Sequence, residues 1–263
     1  MIEALRPWLS DLVIIGGWAH RLYRFHPRAG SPTYLPLQTR DADVAFSLEA
    51  RLEGSIAAAL RAADFREDFR GEHAPPVIHY RLGDGDQGFY VEFVAPLRGS
   101  GVRRDGTPDA TVGKAGVTAQ KLRHLDILLI RPWAVRLDAT VAVPLATPAE
   151  VRLASPVTFL AQKLLIRKYR DLDKQAQDAL YVHDTLELFG SDLESLRREW
   201  REKIRPAITA TTADTVERLH REQFGTVSDV IRAATRIPQD RTLTPDRLQA
   251  VCSYGLDEIF GAG

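Results

Sequence analysis

The sequence has very little cysteine and lacks any long apolar run. Cys252 is the one cysteine among 263 residues, so no disulfide can form within the chain, and we expect a reducing compartment, the cytoplasm. No run of about 18 apolar residues occurs, and the N-terminus lacks a basic segment followed by an apolar one. These absences predict a protein without a membrane span or a secretion signal. Lys+Arg and Asp+Glu both number 35, so the formal net charge is zero, which excludes a protein that coats nucleic acid by bulk charge alone.

The pattern of apolar residues changes near Ser155 and Pro156. Before this point, short β-branched or alternating segments lie between helical ones, whereas the residues after it show helical spacing almost throughout. Serine followed by proline is typical of a helix start. We therefore predict an α+β fold, with a mixed sheet flanked by helices over residues 1–155 and a C-terminal helical domain over residues 156–263.

Two carboxylates lie two residues apart on a predicted strand, Asp41–Phe46. Alternation along the strand places Asp41 and Asp43 on one face and apolar side chains on the other. Neighbouring carboxylates repel each other, and their burial costs free energy unless a cation lies between them. The pair therefore indicates a site for a hard divalent ion such as Mg²⁺, although a solvated strand face has the same spacing.

A Gly-Gly turn follows another predicted strand. Leu12–Ile15 is a β-branched apolar run that ends at Gly16 and Gly17, and a helix follows. Such a turn presents backbone N–H groups at a helix N-terminus, where they can bind phosphate. Many structural turns have the same sequence, so the turn alone is weak evidence.

Glu92 is an acidic residue within an otherwise apolar and aromatic strand, Phe89–Val94. It fits either a third functional carboxylate or the polar side of an exposed strand. The preceding strand, Val77–Leu82, is predicted to pair with it through a hairpin turn at Gly83–Asp86.

Together, these motifs resemble the nucleotidyltransferase fold of the polymerase-beta type. That fold has a strand, a Gly-Gly or Gly-Ser turn, a short helix, an Asp-x-Asp pair on the next strand and a third carboxylate further on. A Ser or Thr often precedes the first aspartate by two residues. The interval between turn and Asp-x-Asp is longer here than in minimal members, and a proline-containing loop over residues 26–37 accounts for the excess. The matching residues are Gly16, Gly17, Thr39, Asp41, Asp43 and Glu92.

The resemblance implies a chemistry and a role for each matching residue. The chain would transfer a nucleoside monophosphate from an NTP to an acceptor, with pyrophosphate as the leaving group. Asp41, Asp43 and Glu92 would be the catalytic carboxylates that hold one or two Mg²⁺ ions, and Glu92 would help deprotonate the attacking hydroxyl. The Gly-Gly turn and Thr39 would contact the nucleotide phosphates.

The helical half resembles the AbiEii-like nucleotidyltransferases, which are associated with bacterial toxin–antitoxin and phage-abortive systems. The resemblance rests on Lys163 and on the stretch Arg170–Leu180. It implies that Lys163, Lys174 and Asp178 contribute to nucleotide or phosphate binding, and that an antitoxin protein is a candidate partner. Because Lys174 and Asp178 are four residues apart, an ordinary ion pair along one helix face is the alternative.

The acceptor that we favour is RNA, such as a tRNA end, because residues 98–136 contain eight basic and three acidic residues within a neutral chain. A solvated basic face would have the same composition. A protein acceptor stays open, as does a small-molecule, antibiotic-type acceptor, for which aspartates of the helical half would form an acidic pocket. A catalytically silent nucleotide- or partner-binding module is the remaining alternative, and the presence of all three carboxylates disfavours it. The basic residues are Arg98, Arg103, Arg104, Lys114, Lys121, Arg123, Arg131 and Arg136, and the aspartates are Asp171, Asp173, Asp178 and Asp184.

Overall fold

The computed structural model of the chain describes residues 1–71, 75–83, 88–139 and 145–261. Residues 84–86 of the predicted hairpin turn lie outside the described residues. The described strands are β1 (Leu12–Ile15), β2 (Asp41–Phe46), β3 (Arg66–Arg70), β4 (Val77–Leu82), β5 (Phe89–Pro96), β6 (Thr111–Lys114), β7 (Val117–Leu122), β8 (Trp133–Leu137) and β9 (Ala149–Leu153). The described α-helices are α1 (Gly16–Leu22), α2 (Ile56–Ala62), α3 (Pro156–Ile166), α4 (Leu172–Leu188), α5 (Leu193–Glu199), α6 (Ala210–Phe224), α7 (Asp229–Ala234) and α8 (Pro245–Phe260).

Two compact units make up the chain. The sheet unit comprises residues 1–25 and 38–154, and the helical unit comprises residues 26–37 and 155–263. The described strands belong to the sheet unit, and helices α3 to α8 belong to the helical unit. The α+β prediction is therefore confirmed.

The sheet is mixed, with the strand order β3-β4-β5-β2-β1-β9-β8, and β7 pairs with both β5 and β6. β2 is antiparallel to β1 and parallel to β5, and β5 is antiparallel to β4. The strands that carry the predicted carboxylates, β2 and β5, are thus neighbours at the centre of the sheet.

The amino-acid pattern of the central strands explains their position. All four residues of β1 are buried, as expected for a β-branched apolar run with neighbours on both edges. In β2, Ala42, Val44 and Phe46 have no exposed surface, whereas Asp41 and Asp43 are half-buried. Burial of a side chain such as Val44 or Phe46 contributes about 1.5–3 kcal/mol, so the apolar face of β2 fixes which way the aspartates project.

Side-chain caps define the starts of the longer helices in the helical unit. α3 begins at Pro156, as the sequence predicts, and the Ser155 hydroxyl accepts a hydrogen bond from the backbone N–H of Thr158 at 3.3 Å. Asp171 caps α4 in the same way, by accepting from the Lys174 N–H at 2.8 Å. Such a cap typically contributes about 1 kcal/mol.

Residues 26–37 form a strap that packs with the helical unit, although the sequence places them between β1 and β2. The Gly30 N–H donates to the Leu188 carbonyl oxygen at 2.7 Å, and the Leu35 N–H donates to Asp240 Oδ2 at 2.7 Å. The proline-containing loop is therefore ordered through specific partners.

Across the described ranges, no helix combines the length and apolar character that crossing a membrane requires.

Candidate active site on the sheet unit

Gly16 lies at the junction of β1 and α1 and leaves room for the Asp43 carboxylate. Its φ is +61°, in the left-handed region that glycine adopts at little cost. β1 pairs with β2 so that Ile15 lies opposite Asp43. A Cβ atom on Gly16 would lie only 2.3 Å from Asp43 Oδ2. The space that a side chain would fill is therefore taken by a predicted functional carboxylate.

The Gly-Gly turn also begins a helix. α1 starts at Gly16, so the N–H groups of Gly16 and Gly17 lie in its first turn. The first N–H groups of a helix have no partner within the helix. The resemblance to the nucleotidyltransferase fold implies that these N–H groups bind the nucleotide phosphates.

The second aspartate of the Asp-x-Asp pair lies directly opposite Glu92. β2 and β5 run parallel, and the register pairs Asp43 with Glu92 and Asp41 with Tyr90. Neighbouring strands are about 4.8 Å apart, and aligned residues project to the same face. Since Asp41 shares a face with Asp43, the structure brings all three predicted carboxylates to one face of the sheet.

Negative charge accumulates at this face. Burial, followed by the charges of Asp43 and Asp41, raises the pKa of Glu92 to about 7. Burial, followed by the nearby carboxylates, also raises the pKa of the Tyr90 phenol to about 12. Both shifts have the direction that burial and neighbouring carboxylates impose on the pKa of an acidic group.

The three carboxylates fit a divalent cation. Their ligand atoms are all oxygens, which Mg²⁺ prefers, and Mg²⁺ sites commonly combine one or two carboxylates with substrate phosphates. The Glu92 side chain is 18% exposed, so its charged form is costly without compensation. A cation bound by Asp41, Asp43 and Glu92 would offset that cost.

Thr39 lies two residues before β2 and is half-buried. The carbonyl oxygen of Arg40 accepts a hydrogen bond from the Tyr90 N–H at 3.1 Å, which continues the pairing of β2 with β5 toward Thr39. Thr39 thus stands at the end of β2 that carries Asp41.

The sequence alone did not identify two residues at this face, His79 and Tyr90. His79 of β4 is paired with Glu92 in the sheet register, and its Nε2 lies 3.6 Å from Glu92 Oε2. The ring of His79 stacks on that of Tyr90, with centroids 5.0 Å apart and planes 4° apart. The predicted hairpin of β4 and β5 could have identified His79, because a defined register of these strands places it beside Glu92.

In the helical unit, Lys163 and Asp178 form a buried pair. Lys163 Nζ lies 2.5 Å from Asp178 Oδ1, and both side chains are less than a tenth exposed. Arg170 Nε lies 3.7 Å from Asp178 Oδ2. Lys174 is exposed, and its Nζ lies 3.5 Å from Gln177 Oε1. The alternative interpretation, an ion pair between Lys174 and Asp178, is not what the structure shows, because Asp178 pairs with Lys163 and Arg170.

Several basic residues of the 98–136 segment have partners within the sheet unit. Lys114 Nζ donates to the Leu48 and Ala50 carbonyl oxygens at 2.6 and 2.7 Å. Lys121 pairs with Asp109 at 2.7 Å. These two lysines hold loops in place, so the segment's charge excess overstates the charge available to a nucleic acid.

A second group of ligand-type side chains lies in the helical unit. His183, Asp184 and Glu187 each have one ligand atom within 4.8 Å of the others. Arg241 Nη2 lies 2.5 Å from Asp184 Oδ1, and Arg247 Nη2 lies 3.0 Å from Glu187 Oε1. Because arginines already occupy both carboxylates, this group fits a buried ion-pair network better than a metal site.

The class that the structure shows is an α+β protein in which one face of the sheet carries the three predicted carboxylates. The chain belongs to a nucleotidyltransferase family: the family model described as "Nucleotidyltransferase" matches residues 1–205. The match covers the whole sheet unit and α3 to α5. It does not confirm the narrower AbiEii-like resemblance. No curated protein and no solved structure matches the chain.

Proposed function

We propose that the protein is a Mg²⁺-dependent enzyme that moves a nucleoside monophosphate from an NTP to an acceptor. The observation that carries this proposal is the parallel register of Asp43 with Glu92. Gly16 supports the proposal because its lack of a Cβ leaves room for the Asp43 carboxylate in this position. Membership of the nucleotidyltransferase family supports the transferase reaction.

Each residue has a proposed action in the reaction. Asp41, Asp43 and Glu92 would hold one or two Mg²⁺ ions, which when bound supply charge neutralisation for the triphosphate. The N–H groups of the Gly-Gly turn would bind phosphate oxygens, and Thr39 would donate a hydrogen bond from its hydroxyl. Glu92 would help deprotonate the attacking hydroxyl by accepting its proton.

Within the helical unit, the two lysines have different proposed roles. Lys174 is exposed and is available to a phosphate as a mobile cation. Lys163 is buried against Asp178, and its ammonium lies 5.2 Å from the ring centres of both Phe159 and Tyr181. We propose that Lys174 contacts phosphate, as the resemblance implies, and that the pair of Lys163 and Asp178 fixes α3 against α4.

RNA remains the acceptor that we favour, with a protein as the second candidate. Arg104 and Arg131 of the basic segment are exposed, which supports contact with a polyanion. The pairing of Asp178 with Lys163 and of Asp184 with Arg241 leaves less acidity for a cationic small molecule. An antitoxin partner is proposed from the AbiEii-like resemblance alone.

The test measures Mg²⁺-dependent transfer from a labelled NTP into the RNA, protein and metabolite fractions of a cell lysate. Asp43→Ala should abolish transfer and leave the circular dichroism spectrum unchanged. Asp229→Asn is the matched control, because Asp229 is 91% exposed and pairs with Arg232 at the surface. Undiminished transfer by Asp43→Ala would overturn the assignment, and a wild-type protein without transfer would support the silent binding module.

A further inference from the structure

A row of ionisable side chains crosses four strands of the sheet. In the register, Asp43 of β2 lies opposite Glu92 of β5, Glu92 lies opposite His79 of β4, and His79 lies opposite Asp68 of β3. Residues aligned in this way project to the same face. The imidazole of His79 therefore lies between Glu92, the third carboxylate of the proposed site, and Asp68.

His79 is held in a defined orientation. Its ring lies parallel to that of Tyr90 at 5.0 Å, and its side chain is 21% exposed. Tyr90 in turn is paired with Asp41 across β2 and β5. The stack leaves the ring of His79 little freedom and directs Nε2 toward Glu92, at 3.6 Å from Oε2.

The far end of the row is also fixed. Asp68 Oδ2 lies 2.7 Å from Arg70 Nη2 and 2.8 Å from Arg81 Nη2. With two guanidinium partners, Asp68 is restrained beside His79. Carboxylates that bind a metal ion are commonly hydrogen-bonded to neighbouring side chains, which fix their orientation.

Glu92 needs such a partner more than the aspartates do. A glutamate side chain has three rotatable bonds, one more than an aspartate, and an unrestrained carboxylate loses side-chain entropy when it binds an ion. The Nε2–Oε2 separation exceeds a hydrogen bond by about 0.7 Å. A small rotation of Glu92 on ligand binding closes that gap.

We propose that His79 is a positioning residue that orients the Glu92 carboxylate toward Asp43 by a hydrogen bond from Nε2. The inference rests on the proposed function, because it takes Glu92 as a metal ligand. It assigns His79 a role in ion affinity and in the alignment of Glu92, without contact to the substrate. Loss of an outer-sphere partner typically lowers metal affinity or activity about 10–100-fold.

Two substitutions test the hydrogen-bond donor and the aromatic ring of His79 separately. His79→Phe keeps an aromatic ring against Tyr90 but removes the nitrogen, and His79→Gln keeps an amide N–H near the position of Nε2 but removes the ring. Mn²⁺ binding, measured by calorimetry in the presence of a non-hydrolysable NTP analogue, reports affinity without turnover. Thermal unfolding of the metal-free variants reports packing separately.

The expected result is a Kd for Mn²⁺ about 10–100-fold weaker in His79→Phe and restored to within a few-fold in His79→Gln. Transfer should show a lowered kcat with little change in the KM for NTP. Wild-type affinity in His79→Phe overturns the inference and leaves the proposed function intact. A wild-type protein that fails to bind Mn²⁺ overturns both.

A double-mutant cycle shows whether His79 acts through Glu92. In a Glu92→Gln background, His79→Phe should change Mn²⁺ affinity no further, because the residue acts through Glu92. An equal loss in both backgrounds shows a general structural role and overturns the inference.

Discussion

Gly16→Ala should impair the reaction far more than it impairs folding. The added Cβ would lie 2.3 Å from Asp43 Oδ2, well inside van der Waals contact. The backbone at φ +61° also disfavours any residue with a Cβ, at a cost of about 1–2 kcal/mol. The atom that the Cβ meets belongs to a side chain that can rotate, so the Asp43 carboxylate gives way and the strand stays in place.

The consequence for activity follows from the position of that carboxylate. Rotation takes Asp43 Oδ2 away from the face that it shares with Glu92. A displacement of about 1 Å at a reacting centre can lower the rate about 100-fold. We therefore expect transfer to fall by about two orders of magnitude, while the free energy of unfolding falls by only about 1–2 kcal/mol.

The assay compares urea unfolding with Mg²⁺-dependent transfer in the same preparations. Gly113→Ala is the matched control, because Gly113 lies in β6 and a Cβ there would meet nothing within 4 Å. Wild-type transfer by Gly16→Ala would refute the reasoning that this glycine exists to admit Asp43. A loss of stability large enough to unfold the protein would refute the claim that the side chain gives way.

Three further outcomes test the electrostatics of the two units. Lys163→Met should lower the free energy of unfolding by about 3–5 kcal/mol, because Asp178 is then buried with its closest cation removed. The double variant Lys163→Met/Asp178→Leu should regain most of the lost stability in urea unfolding. A double variant that regains none would contradict the pairing. Lys174→Ala should raise the KM for NTP and change the free energy of unfolding by less than about 0.5 kcal/mol, and an unchanged KM would remove Lys174 from the phosphate site. In the absence of divalent ions, the contribution of Glu92 to the free energy of unfolding should fall as pH rises from 4.5 to about 7, because the folded-state pKa of Glu92 is raised and the protonated form favours the folded state. The decrease in this contribution is about 3 kcal/mol, at about 1.4 kcal/mol for each pKa unit. It is measured as the difference in stability between the wild type and Glu92→Gln across that range, and a difference that does not change with pH would contradict the shift.

Local patterns predicted the central strands and the change to helices. The β-branched run Leu12–Ile15 and the alternating segment Asp41–Phe46 each predict a strand, because the order of apolar and polar residues shows whether one or both faces are buried. The Ser155-Pro156 pair likewise marks the start of α3. In each case the decisive interactions lie within a few residues of one another.

Features set by distant pairing were not predictable in the same way. The proximity of His79 to Glu92 depends on the register of β4 against β5, which a sequence pattern leaves open. Asp178 pairs with Lys163 of α3, although Lys174 is its neighbour in sequence by helical spacing. The sequence predicts a loop over residues 26–37, because the partners of this strap, Leu188 and Asp240, lie far along the chain.

The most direct test of the central claim follows the two ends of the triphosphate separately. The protein is incubated with Mg²⁺, a lysate as the source of acceptor, and an NTP labelled at either the α- or the γ-phosphate. Nucleotidyl transfer by the site of Asp41, Asp43 and Glu92 predicts that α-label enters the acceptor and γ-label leaves as pyrophosphate, and that Asp43→Ala shows neither. Entry of γ-label into the acceptor, or equal α-label transfer by Asp43→Ala, would contradict the account.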